Sequence, residues 1–81
     1  MKDLKLFALR DCPYCQRVFA YLAAYELPSD VNLRIIFEDE EKQLADSYDY
    51  YYVPSFFLNE VKIHEGALNE KDFISLMEKC R

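Results

Sequence analysis

The segment Cys12-Pro13-Tyr14-Cys15 constrains this chain more than any other, because of what stands on either side of it. Before it, Leu4 to Leu9 is a nearly continuous apolar run of the kind that a strand covered on both faces requires. After it, Val18, Phe19, Leu22 and Ala23 recur at helical spacing, Pro13 suits a first helical position that needs no N–H, and Leu27-Pro28 closes the element. Two cysteines one helical turn apart are therefore predicted at a strand-to-helix junction, with Cys12 at the N-cap. Unpaired N–H groups and the helix dipole favour an anion there, and the anion on offer is a thiolate. A cysteine in such a position commonly has a pKa of about 3.5–7.5, which supplies a nucleophile at neutral pH.

The rest of the chain reads as an alternation of strands and helices. Val31, Leu33, Ile35 and Phe37 alternate with Asn32, Arg34 and Ile36, which predicts a second strand joined to the first by a right-handed parallel crossover. Glu38 to Tyr48 is acidic at its start and holds Leu44 and Ala45, predicting a short helix whose leading carboxylates suit the positive end of the dipole. Ser55 to Leu58 and Val61 to His64 predict a hairpin about Asn59-Glu60, a pair less suited to a tight turn than Asn-Gly. Asn69 is placed to cap a last helix, with Asp72 at N3, Leu68 and Phe73 as a hydrophobic staple, and Phe73, Ile74, Met77 and Cys80 along one face. The order is β-α-β-α-β-β-α, an α/β arrangement with a four-stranded mixed sheet flanked by three helices.

Composition narrows the functional classes. With 81 residues, 52% of them apolar, one glycine and three prolines, the chain suits one small domain with a packed core and not a disordered segment or a disulfide scaffold. Its longest apolar stretch, Val18 to Tyr25, is far shorter than the roughly 20 residues of a membrane span. Ten basic against fifteen acidic residues give a net charge of -5, which opposes the phosphate attraction behind nucleic-acid binding. The apolar part of the first twelve residues is too brief for a signal peptide, so a cytoplasmic, monomeric protein is expected, with neither nucleic acid nor membrane among its partners.

Three cysteines, two of them spaced three apart, do not make an even structural framework. As a redox pair, Cys12 attacks a disulfide and Cys15 resolves the mixed disulfide so formed. The other chemistry open to them is metal binding, either a zinc site completed by His64 and Cys80 or a zinc or iron-sulfur site shared between two chains. The strand before and the helix after favour redox chemistry.

Cys-Pro-Tyr-Cys after a first strand, with Val53-Pro54 before a third, resembles the glutaredoxins, within the thioredoxin-fold superfamily, and the likeness extends over nearly the whole chain. The resemblance implies a thioredoxin fold over residues 1–81, a catalytic dithiol of Cys12 and Cys15, and no bound cofactor or metal. It implies a cis Val53–Pro54 bond facing the cysteines, a Val53 backbone that pairs with an extended substrate segment, and a Tyr14 that contacts glutathione. Arg10 and Arg17 flank the pair as cations for the thiolate or for a glutathione carboxylate, opposed by Asp11. Glutathione is then the electron donor, and disulfide-containing proteins or glutathione mixed disulfides are the substrates. Two stretches depart from the glutaredoxin pattern. Tyr52 stands where a Thr is usual, and His64-Glu65-Gly66-Ala67-Leu68-Asn69 lacks the Gly-Gly-acid element and is more similar to the corresponding end of thioredoxins. A thioredoxin-like reductase served by a flavin enzyme of the thioredoxin-reductase type therefore remains the alternative. Tyr48, Tyr50, Tyr51 and Tyr52 read as cover for a core edge or as the wall of a substrate groove, and His64 and Cys80 read as packing residues.

Overall fold

The computed structural model describes residues 1–81. Its elements are β1 (Lys2–Ala8), α1 (Pro13–Ala24), β2 (Val31–Phe37), α2 (Lys42–Asp46), β3 (Ser55–Leu58), β4 (Val61–Glu65) and α3 (Glu70–Lys79), in the expected order. The sheet runs β2-β1-β3-β4, with β1 parallel to β2 and antiparallel to β3, and β3 antiparallel to β4. This is the thioredoxin fold. No helix is long and apolar enough to cross a membrane.

Alternation along β1 sorts its side chains into two layers. Leu4, Leu6 and Ala8 join Phe56 and the buried faces of α1 and α3 in one cluster, which includes Cys15, Val18, Phe73, Leu76, Met77 and Cys80. Phe7 points the other way and meets Ile36, Ala45 and Phe57, with Leu44, Tyr48 and Tyr50 packed against them. Two helices thus cover one face of the sheet, and the short α2 with two tyrosines covers the other. Between the helices, Tyr21 and Tyr25 of the α1 region pack their rings 5.5 and 5.7 Å from that of Phe73.

Three local expectations are corrected. Helix α2 starts at Lys42 and not at Glu38, because the preceding carboxylates serve as tethers: Glu38 accepts from the Tyr50 hydroxyl at 2.6 Å, Glu40 pairs with Arg10 and Glu41 with Arg34. The amides of Glu40 and Glu41 both donate to the Phe37 carbonyl, so this stretch is a turn that ends β2. On α3, Ile74 is 40% exposed and Leu76 takes the place expected for it, so the buried stripe is Phe73, Leu76, Met77 and Cys80, spaced by three and four residues. On α1, Ala23 is exposed, and the helix ends at Ala24, before Leu27-Pro28, because Tyr25 is already extended.

The predicted hairpin and cap both form. Asn59 and Glu60 have φ of 48° and 72°, the left-handed values that both central residues of a type I′ turn need. Asn tolerates that region, and the Glu60 carboxylate is held by Lys5 and the Tyr48 hydroxyl. Asn59 also exchanges two hydrogen bonds with the Asp3 backbone, at 2.8 and 2.9 Å, which fastens the turn to the start of β1. Asn69 accepts from the Asp72 amide at 2.8 Å, and Leu68 and Phe73 are both buried as the staple requires.

Candidate active site

Strand β1 delivers the cysteine pair, and the start of β3 lies next to its end. Phe7 pairs with Ser55, so continuing the antiparallel register sets Leu9 beside Val53, three residues before Cys12. Cys12 is the N-cap of α1, with extended backbone and no side-chain cap, and its carbonyl accepts the first helical bond from Gln16 at 2.9 Å. Pro13 has no N–H, and the amides of Tyr14 and Cys15 have no backbone partner, as the opening of a helix dictates. The Gln16 side chain donates to the Arg10 carbonyl at 3.1 Å, which fixes the approach to the cap.

Cys12 is partly exposed, whereas Cys15 is wholly buried. Burial pushes the Cys15 thiol up to about 12; the Leu9 backbone opposes this, and the neighbouring Cys12 adds to it. Cys15 is therefore held as a thiol. Cys80 is free and buried, its S–H directed at the Leu76 carbonyl at 3.6 Å, and burial raises its pKa as well.

The Val53–Pro54 bond is cis, as the resemblance implies, and Pro54 is buried. Around it the backbone groups are nearly all taken. The Tyr52 amide donates to Glu65 Oε2 at 3.0 Å, the Tyr52 carbonyl accepts from the Ser55 hydroxyl, and the Pro54 carbonyl accepts from the Gly66 amide at 2.8 Å. Between Tyr51 and Pro54, only Val53 keeps both its N–H and its C=O without a partner in the chain. Gly66 has φ of 95°, which an L side chain rarely adopts, and this accounts for the chain's one glycine.

The flanking residues divide. Arg10 is turned away, its guanidinium carbon 3.8 Å from the centre of the Phe37 ring and its Nε 3.0 Å from Glu40. Arg17 is in no ion pair; it lies 5.8 Å from the Tyr14 ring centre and lines a groove of about 450 Å³ with Tyr21, Leu68, Asn69 and Asp72. Tyr14 is 51% exposed. Of the tyrosine cluster, Tyr48 and Tyr50 pack 4.8 and 5.0 Å from Phe7, while Tyr51 and Tyr52 face solvent at 85% and 70% exposure. His64 Nε2 sits 3.1 Å from the Gly66 carbonyl, and no three His, Cys, Asp or Glu side chains converge as metal ligands would. His64 and Cys80 are thus committed elsewhere and do not join the cysteine pair.

Glu65 escaped the reading of the sequence. Its carboxylate accepts from the amides of both Tyr51 and Tyr52, at 2.6 and 3.0 Å, and from Lys62 at 2.7 Å, which lowers its pKa to about 2, the Lys62 bond contributing most. Strand alternation would put Lys62 and Glu65, three apart, on opposite faces. A bulge opposite Phe56 and Phe57 reverses the alternation and brings them to one face, and no residue pattern announces it.

Comparison with known proteins places the chain. A family model described as glutathione S-transferase, N-terminal domain, matches residues 6–68. No curated protein matches. Among solved structures, one entitled "Structure of a malarial protein" superposes with a TM-score of 0.68 at 17% identity, over 98% of this chain and 96% of that one. At that identity the likeness carries the fold alone.

Proposed function

Because this chain belongs to the family of glutathione S-transferase N-terminal domains, we propose that it is a small glutaredoxin-like thiol-disulfide oxidoreductase that reduces protein or glutathione mixed disulfides through Cys12 and Cys15. The observation that carries this reading is the pairing of a partly exposed Cys12 at a helix N-cap with a buried Cys15 one helical turn further in. Cys12, as thiolate, attacks one sulfur of the substrate disulfide, forming a mixed disulfide and expelling the other sulfur as a thiolate. Cys15 then attacks Cys12, the second substrate sulfur leaves, and the proton that Cys15 holds so firmly passes to it. Two electrons have moved to the substrate and the Cys12–Cys15 disulfide remains. Two molecules of glutathione, or a flavin reductase's dithiol, return it to the reduced state.

The free N–H and C=O of Val53 supply an antiparallel pair of bonds for an extended substrate segment, and the buried Pro54 packs beneath it. Tyr14 offers an aromatic contact. Arg17 is the cation that faces the groove between α1 and the start of α3, and it suits a glutathione carboxylate better than Arg10, which Glu40 already neutralises. At the opening of α3, where glutaredoxins carry the Gly-Gly-acid element, Asn69 spends its side chain on capping Asp72. Glutathione accordingly binds several-fold more weakly than to a glutaredoxin with the full element, since each missing contact is worth about 1 kcal/mol. The reading places the protein in a reducing, cytoplasmic compartment.

The test is reduction of a glutathionylated peptide with glutathione and glutathione reductase on one side and an NADPH-dependent thioredoxin reductase on the other. Turnover with glutathione supports the proposal. Turnover with the flavin enzyme alone replaces it with the thioredoxin-like reading. Conjugation of glutathione to an electrophile such as chlorodinitrobenzene, with no disulfide exchange, or bound metal in place of two titratable thiols, overturns both.

A further inference from the structure

We propose that Glu65 is a positioning residue, which sets the register of the bound substrate by fixing the loop before Val53. The inference rests on the reading of Val53 as the substrate-pairing backbone. Two of the three N–H groups that a substrate strand would meet on approaching this loop, those of Tyr51 and Tyr52, are turned onto one carboxylate oxygen, Glu65 Oε2. The other oxygen is held by Lys62, and the same ammonium donates to the Asp49 carbonyl at 3.1 Å, so both sides of the loop are tied to one ion pair on β4. The Ser55 hydroxyl takes the Tyr52 carbonyl, and Pro54 has no N–H. Across Tyr51 to Pro54, one complete N–H and C=O pair remains, at Val53, with the Tyr51 carbonyl left without its amide.

That arrangement has a consequence for recognition. An antiparallel partner meets a residue like Val53 through one exchange of N–H···O bonds with one residue of its own, and with no second pair beside it the partner cannot slide by two and pair again. The residue opposite Val53 is thereby specified, and with it the position of the substrate sulfur relative to Cys12. One pair is also all that a peptide of glutathione's length can use. If the Tyr51 and Tyr52 amides were released, they would offer competing sites in other registers. Glu65 is suited to hold them across the range in which thiol exchange runs, because the ammonium of Lys62 and the two amides keep its carboxylate ionised far into acid. The charged and titratable groups around it are Lys62 on its own strand and Tyr51 on the loop, with Asp49 beyond Lys62.

The experiment compares wild type, Glu65→Ala and Glu65→Gln in steady-state reduction of a glutathionylated peptide, together with amide hydrogen exchange at Tyr51 and Tyr52 by NMR. Glu65→Ala is expected to raise KM for the peptide about fivefold, the loss of one or two hydrogen-bond equivalents, with kcat nearly unchanged and faster exchange confined to residues 49–53. Glu65→Gln, which keeps an acceptor for the amides, is expected to recover most of KM. Freed amides with an unchanged KM overturn the proposal. So does a parallel fall of kcat with faster exchange throughout the chain, which is the signature of general destabilisation. A wild-type chain that turns over no peptide fails the reading of the site itself and removes the role in recognition, and it is told apart because the amide protection at Tyr51 and Tyr52 is measured without substrate.

Discussion

Cys15 lies one helical turn beyond Cys12, wholly buried where Cys12 is partly exposed. Access therefore separates the two thiols. In the reduced protein at neutral pH, iodoacetamide is expected to label Cys12 first and alone, because Cys15 and Cys80 are both buried and both held as thiols. Peptide mapping by mass spectrometry checks this, and first labelling of Cys15 or Cys80 would reverse the assigned roles. Cys12→Ser abolishes exchange, and Cys15→Ser accumulates a mixed disulfide on Cys12.

Stability of the reduced protein should fall in alkali. Cys15 has a folded pKa raised from an ordinary value of 9.0 to about 12, so above pH 9 the unfolded chain binds fewer protons than the folded one. The contribution is fully present below about pH 9 and is lost as pH climbs towards 12, on the order of 1 kcal/mol per pH unit within that window. Urea midpoints between pH 7 and 10 are expected to show the decline, and Cys15→Ala should flatten it, leaving the smaller share from Cys80. Above pH 10 Tyr50, raised by burial and by its bond to Glu38, adds to the loss.

The four tyrosines before Val53 should separate by stability. Tyr50 stacks on Phe7 and donates to Glu38, so Tyr50→Ala is expected to cost about 3 kcal/mol and Tyr50→Phe about 1 kcal/mol. Tyr51→Ala should stay within about 0.5 kcal/mol, since its ring touches little but solvent. Equal costs at positions 50 and 51, in urea unfolding at pH 7, would refute the division of the cluster.

The cap of α3 is tested at one residue. Asn69→Ala removes the acceptor of the Asp72 amide and should lower stability by about 1 kcal/mol, read from the urea midpoint at constant slope.

Much of this protein was legible without coordinates. The apolar run of β1, Pro13 at the first position of α1, the alternation of β2 and the Asn69 cap are local signals, because strand alternation, helix spacing and capping depend on residues within a few positions of each other. They suffice to put Cys12 at the junction of β1 and α1 and Cys15 one turn beyond it. Relations between segments distant along the chain depend on tertiary structure. Glu38 to Glu41 has the composition of a helix start, but Tyr50, Arg10 and Arg34 draw its carboxylates outward and the backbone turns instead. Arg10 and Arg17 look equivalent around the cysteines until Phe37 and Glu40 claim the first and leave the second facing a groove. Lys62 and Glu65 share a face only because β4 bulges against β3, and Glu65 reaches the Tyr51 and Tyr52 amides only because the sheet sets that strand beside the loop. A charged side chain takes its partner from whatever the fold brings within about 3 Å, and a periodicity of two or 3.6 residues carries no information about that distance.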